Sequence, residues 1–166
     1  VSVKHRLKVV QHDDDIAPRP LWHWVGFGTV ATFAAWLPLA YAAQAAASRL
    51  VRTRLGVVDN AADAAARVAG LPPDQRMTLH FLLWTLPALA LALAATAGGF
   101  LVGRWGDGAG PKEGALAGAG TVIVAGMLTC VASGASWVPL VGLVIAVPAA
   151  ALGAKLGVLR RGRTLA

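Results

Sequence analysis

The sequence predicts an all-α integral membrane protein, a polytopic bundle of four transmembrane helices. Three observations carry this. Hydrophobic residues make up 57% of the 166 residues and charged residues only 14%. A soluble domain carries about 25% charged residues, so there are too few charges here to cover a water-facing surface. Second, the uncharged runs are long: 29 residues from Pro20 to Ser48, 27 from Met77 to Gly103, and 41 from Gly114 to Ala154. About 20 apolar residues span a bilayer core. Third, these runs do not alternate apolar with polar residues, which excludes a barrel and leaves helices as the way to satisfy the backbone in lipid.

The first two runs each supply one span, Leu21–Ala47 and Leu79–Val102. The third is too long for one. As a single helix it would measure about 60 Å at 1.5 Å per residue. Ser133-Gly134-Ala135-Ser136 near its middle is a cluster of turn formers, so the run divides into Gly114–Ala132 and Trp137–Leu156. Aromatic residues fall where interfacial belts belong: Trp22 and Trp24, Phe81 and Trp84, Trp105, and Trp137. Pro38, Pro87 and Pro148 lie inside spans and are expected to bend them, whereas Pro139 sits in a first turn at little cost. Small-residue triplets around Tyr41 and Gln44 resemble cleavage sites, so removal of the first span as a signal peptide is the competing reading.

Outside the spans, residues 1–20 form a tail of mixed charge. The single membrane domain is expected over residues 21–158, with a basic tail at 159–166. The 49–78 loop contains good helix-forming sequence from Asn60 to Arg67. Asn60 can cap it, and Asp63 and Arg67 form a favourable i,i+4 pair. Leu71-Pro72-Pro73 closes it. The tail before span one, the loop between spans two and three, and the C-terminal end hold ten of the fifteen Lys and Arg residues. Both termini are therefore expected in the cytoplasm, in a bacterial inner membrane.

Chemistry-bearing motifs are sparse. His12-Asp13-Asp14-Asp15 offers oxygen ligands, but consecutive residues rarely converge on one ion, so a solvated acidic patch is the better reading. His23 and His80 open successive antiparallel spans and belong at opposite faces, too far apart to share a haem. The glycine-rich stretch 103–120 lacks the Gly-Lys-Ser/Thr ending of a phosphate loop. Cys130 is the single cysteine, so it has no internal disulfide partner. No Asp, Glu, Lys, Arg or His lies deep in a span, although carriers, pumps and membrane hydrolases usually place one there. The expectation is no catalytic residue, no cofactor, no metal and no nucleic-acid partner.

The strongest pattern is small residues four apart, which keeps them on one helix face and lets backbones approach. It picks out Gly99 and Gly103 in span two, and Gly114, Gly118 and Gly126 in span three. In span four it picks out Gly142 with Ala146, Ala150 and Ala154, and a second row of Ala149, Gly153 and Gly157. Gly99 and Gly118 are expected to face each other. Span one carries larger residues, Phe33, Trp36 and Tyr41, and is expected to pack more loosely or against a partner. The pattern is generic among small membrane proteins and names no family. The reading is a non-enzymatic accessory or structural subunit of a membrane complex. Its partners would be the bilayer and other membrane subunits, and its basic ends suit anionic lipid. The alternative is a transport or channel component with a neutral path between kinked helices.

Overall fold

A computed structural model describes residues 20–133 and 137–163. Five helices follow one another: α1 Leu21–Leu55, α2 Ala61–Ala69, α3 Pro73–Trp105, α4 Pro111–Ser133 and α5 Val138–Arg163. No strand occurs among the described residues. Four of the helices, all but α2, are long and apolar enough to cross a membrane. The turn expected at Ser133–Ser136 lies largely outside the described residues, as do the 1–19 tail with its acidic run and the last three residues.

Two helices run well past the hydrocarbon limits marked by charge. Span one, expected to end at Ala47, continues as α1 to Leu55, and α3 begins at Pro73 rather than near Leu79. The 49–78 loop thereby shrinks to a connection over 56–72 that holds α2. Backbone hydrogen bonding does not stop where the lipid does. α1 stops at Gly56, whose φ of 77° only glycine adopts at little cost and whose N–H still bonds Arg52 O. α3 starts at Pro73, where a missing N–H costs nothing.

α3 and α4 each pack against both α1 and α5, and they also touch each other across the middle. The cross-section is a rhombus with α1 and α5 at its far corners. Its axis is filled by small residues: Ala94, Ala95, Ala117, Ala146, Ala150 and Ala154 are fully buried. Tryptophans stand near both ends of the apolar stretch of α3. Trp84 stacks on Trp137 with ring centroids 5.5 Å apart. Trp105 lies 21 residues further along α3, about 31 Å at 1.5 Å per residue. That matches a hydrocarbon core of about 30 Å.

At one face, the α3–α4 loop, the start of α1 and the end of α5 meet. Arg161 donates to Gly106 O at 2.6 Å and Ala109 O at 3.4 Å, while Trp24 lies against Gly106. The Glu113 carboxylate accepts the Gly110 N–H at 2.7 Å and so caps the start of α4. At the other face α2 closes the connection. Asn60 Oδ1 accepts from Asp63 N at 2.9 Å, and Arg67 Nε donates to Asp63 Oδ1 at 2.9 Å. Arg67 also donates to Leu55 O, the last carbonyl of α1, at 2.8 Å.

The hydrogen bond from Arg67 holds the Asp63 carboxyl below the ordinary aspartate value of 3.8. A lowered folded value means this contribution is complete above the unfolded value and is lost as pH falls through the folded one. Protection of the α2 amides, taken relative to the intrinsic exchange rate at each pH, should therefore stay constant from neutral pH to about 5 and fall below about 4. Asn60→Ala should lower local stability by about 0.5–2 kcal/mol at every pH, seen as faster exchange at Asp63 and Ala64. Protection that does not change with pH would remove the Asp63–Arg67 pair from the account.

Candidate functional site

Two features of the bundle could carry function: the small-residue contacts that set its shape, and a cavity beside α1 at Trp36. The contacts begin with α3 and α5, which run parallel. A Cβ placed on Gly99 would overlap Ala150 O, and one on Gly103 would overlap Ala154 O. The relation is reciprocal. A Cβ on Gly153 would overlap Thr96 O and stand 3.0 Å from Phe100 N, and one on Gly157 would overlap Phe100 O and stand 2.7 Å from Arg104 N. Each glycine thus presents its Cα–H groups to a carbonyl of the other helix, and the arrangement repeats every four residues. Such Cα–H···O contacts are weak, about 0.5–1 kcal/mol each, but they recur here in register.

α4 meets the same helix antiparallel. A Cβ on Gly114 would stand 2.6 Å from Ala154 Cβ, and one on Gly118 2.7 Å from Ala146 O. Gly126 faces Pro139 at 3.1 Å, and Gly142 faces Val122 at 3.1 Å. The Ala146–Ala150–Ala154 row of α5 therefore lies in the angle between α3 and α4. This corrects one expectation: Gly99 and Gly118 do not face each other, because both face α5. Spacing identifies the small face of a helix but not which neighbour occupies it.

α1 also approaches closely, through residues that its bulky aromatics obscure in the sequence. A Cβ on Gly28 would stand 2.5 Å from Val102 Cγ2 and 2.7 Å from Ala117 Cβ. A Cβ on Gly98 would overlap Thr32 Oγ1 and stand 2.9 Å from Gly28 O. Thr29 Oγ1 donates within its helix to Val25 O at 2.9 Å and lies 3.2 Å from Ala117 O of α4. The available signal was the Gly28–Thr32 spacing of four, matched by Gly98 beside the Gly99 row. Beyond Thr32 the helix keeps one face toward α3, with Trp36, Leu39, Ala43, Ala47 and Leu50 half-buried, and turns the other outward. Only 11% of the apolar stretch of α1 is buried, against 39% in α3. Leu37 and Tyr41 are exposed.

Beside Trp36 of α1, an apolar cavity of about 140 Å³ opens between Leu91, the Thr121–Thr129 face of α4, and Val138, Pro139 and Gly142 of α5. Its two hydroxyls bond back to their own helix, Thr121 to Ala117 O at 2.9 Å and Thr129 to Ala125 O at 2.8 Å. Thr32 and Thr96 do the same at 2.8 Å. The cavity thus offers shape and apolar surface, with no titratable group in its lining.

The histidines do not meet. His23 stacks on Trp22 with centroids 3.8 Å apart. The neighbouring Trp24 lies against Gly106, and His80 is 26 residues away along α3, about 39 Å. No group of three or more His, Cys, Asp or Glu able to hold a metal occurs among the described residues. The Trp24 indole Nε1 is buried with no hydrogen-bond partner among them. No protein-family model matches the chain, and neither a characterised protein nor a solved structure is detectably similar to it.

Adding a side chain at a backbone-to-backbone contact forces the helices apart. Gly99→Leu, Gly118→Leu and Gly28→Leu should each lower thermal stability in detergent, by an overpacking cost of roughly 1–3 kcal/mol. Ala88→Leu, outside the glycine rows, should cost less. Gly26→Ala should be neutral or stabilising, because nothing lies within 4 Å of the added Cβ and alanine favours helix. Equal melting temperatures across the set would show that the close contacts contribute no stability.

Proposed function

We propose that the protein is a non-enzymatic accessory subunit of a membrane complex, and that the second half of the α1 span is the face it offers to a partner. One observation carries the reading: α1 packs on the bundle through one face, is the least buried of the four spanning helices, and leaves Leu37 and Tyr41 exposed. The small-residue rows supply the rigid part. Glycine and alanine faces packed at backbone distance make a compact platform that positions α1 without closing around a substrate. The filled axis and the absence of titratable groups from the apolar cavity support assembly over catalysis.

The orientation fits a bacterial inner membrane with both termini in the cytoplasm. Ten of fifteen basic residues then lie on that side, where they are suited to anionic lipid. Photocrosslinking residues at Leu37 or Tyr41 should give one discrete protein adduct in native membranes. The same probe at Val144 or Leu152, exposed on α5, should give lipid adducts alone. Identical adduct patterns on both helices would overturn the assignment of α1. Reporters fused after Ala166 and within the Asp59–Asp74 connection should report opposite sides of the membrane.

A second reading is a transport component with a neutral path. The 140 Å³ cavity favours it, as do Pro38, Pro87 and Pro148, each inside a spanning helix. Flux of a small apolar solute across vesicles holding only this protein, lost when Ala125→Phe fills the cavity, would establish it in place of the first.

A further inference from the structure

The face bearing α2 carries five arginines, Arg49, Arg52, Arg54, Arg67 and Arg76, against the usual bias for cytoplasmic positive charge. The structure divides them into two kinds. Arg67 is committed to Asp63 and to Leu55 O. Arg76 donates to Ala69 O at 2.7 Å and Leu71 O at 3.1 Å, closing the C-terminal end of α2. These two tie the connection together. Arg49, Arg52 and Arg54, on the last two turns of α1, have no carboxylate within ion-pair distance among the described residues.

Arg52 opens onto a groove of about 630 Å³ formed by α1, the Gly56–Val58 strand of chain that follows it, and Leu83 of α3. Gln44, Ser48 and Arg52 line it four residues apart, one polar stripe along α1. The depth of the stripe is fixed by its neighbours. Leu83 adjoins Trp84, whose stack on Trp137 is an aromatic pair of the kind that belongs at a membrane interface. The groove therefore starts at the interface, with Ala47, Val51 and Leu83 as its apolar wall, and rises about 12 Å to the guanidinium turn at 1.5 Å per residue.

We propose that this groove binds a phospholipid of the adjoining leaflet through its phosphate-bearing, net anionic headgroup. Arg52 takes the phosphate in a bidentate pair. Ser48 and Gln44 donate to the glycerol and ester oxygens below it, and the first acyl carbons lie on Leu83 and Val51. Charge complementarity names the occupant: the groove presents cationic and neutral donors, contains no carboxylate in its lining, and lies at headgroup level. Arg49, one turn nearer the membrane, adds to the positive rim. The site is independent of the accessory-subunit reading, since it needs neither a partner protein nor α1's lower exposed face.

The test uses the full-length protein in mixed micelles of phosphatidylglycerol and phosphatidylcholine, with retained lipid read by native mass spectrometry. One phosphatidylglycerol should be retained in preference to phosphatidylcholine. Arg52→Gln should reduce that retention about tenfold, the order expected for one charge-assisted hydrogen-bonded pair. Arg54→Gln, lining the separate pocket toward Asp74, should change it little. Ser48→Phe, which keeps every charge but fills the groove, should also abolish retention, and it stands as the second variant if Arg52→Gln fails to fold. Equal loss in Arg52→Gln and Arg54→Gln would mean diffuse attraction and overturn the site. So would full retention in Ser48→Phe, or no preference between the two lipids. Displacement of the lipid by an equal concentration of glycerol phosphate would make free phosphate the ligand and overturn the lipid assignment.

Discussion

The architecture depends on the contact between α3 and α5, where glycines of each helix face carbonyls of the other. In lipid there is no hydrophobic reward for bringing two apolar helices together, because the tails they displace are equally apolar. What remains is dispersion at close range and weak polar contacts, both of which fall away steeply with distance. Gly99 and Gly103 against Ala150 and Ala154, with Gly153 and Gly157 returning the arrangement, bring the two backbones to that range. A single methyl at any of these glycines would collide with backbone, which cannot rotate away.

The remaining helices are arranged by that pair. Once α5 lies on α3, its Ala146–Ala150–Ala154 row is left facing the open side, and α4 uses Gly114 and Gly118 to fit there. α1 then has one shallow site, over Gly98 and Ala117, which Gly28 and Thr32 occupy. Past Thr32 the contact with α3 passes to larger residues, among them Leu50 beside Leu79 and Leu82, and the cavity lies next to Trp36. The platform and the cavity are consequences of where small residues stop.

The spans were legible because the bilayer imposes a strict rule, an uncharged stretch long enough to cross it. The same rule hid the ends of α1 and α3. A charge-free run measures where hydrocarbon ends, whereas a helix ends where its hydrogen bonds lose continuity, at Gly56 and before Pro73. The cap of α2 was legible because Asn60, Asp63 and Arg67 act over four residues. Arg67 on Leu55 O was not, because that contact bridges two elements whose relative position no local pattern encodes. The glycine rows show their faces by spacing, but pairing is a property of the whole bundle. Gly99 and Gly118 turn to α5 rather than to each other because α5 fills the angle between their helices.

Electrostatics separates the two faces by a different logic from packing. At the α3–α4 loop face, Arg161 spends its guanidinium on Gly106 and Ala109 carbonyls, and Arg160 lies over the Phe100 ring at 5.8 Å. Arg67 and Arg76 do comparable work at the α2 face. Arginine suits this role because its rigid fork reaches several carbonyls that a helix end or turn leaves unsatisfied. A basic residue near a membrane boundary therefore need not report topology at all. Among the described residues Arg49, Arg52 and Arg54 of α1 have no carboxylate within ion-pair distance, and their charge calls for an external counterpart.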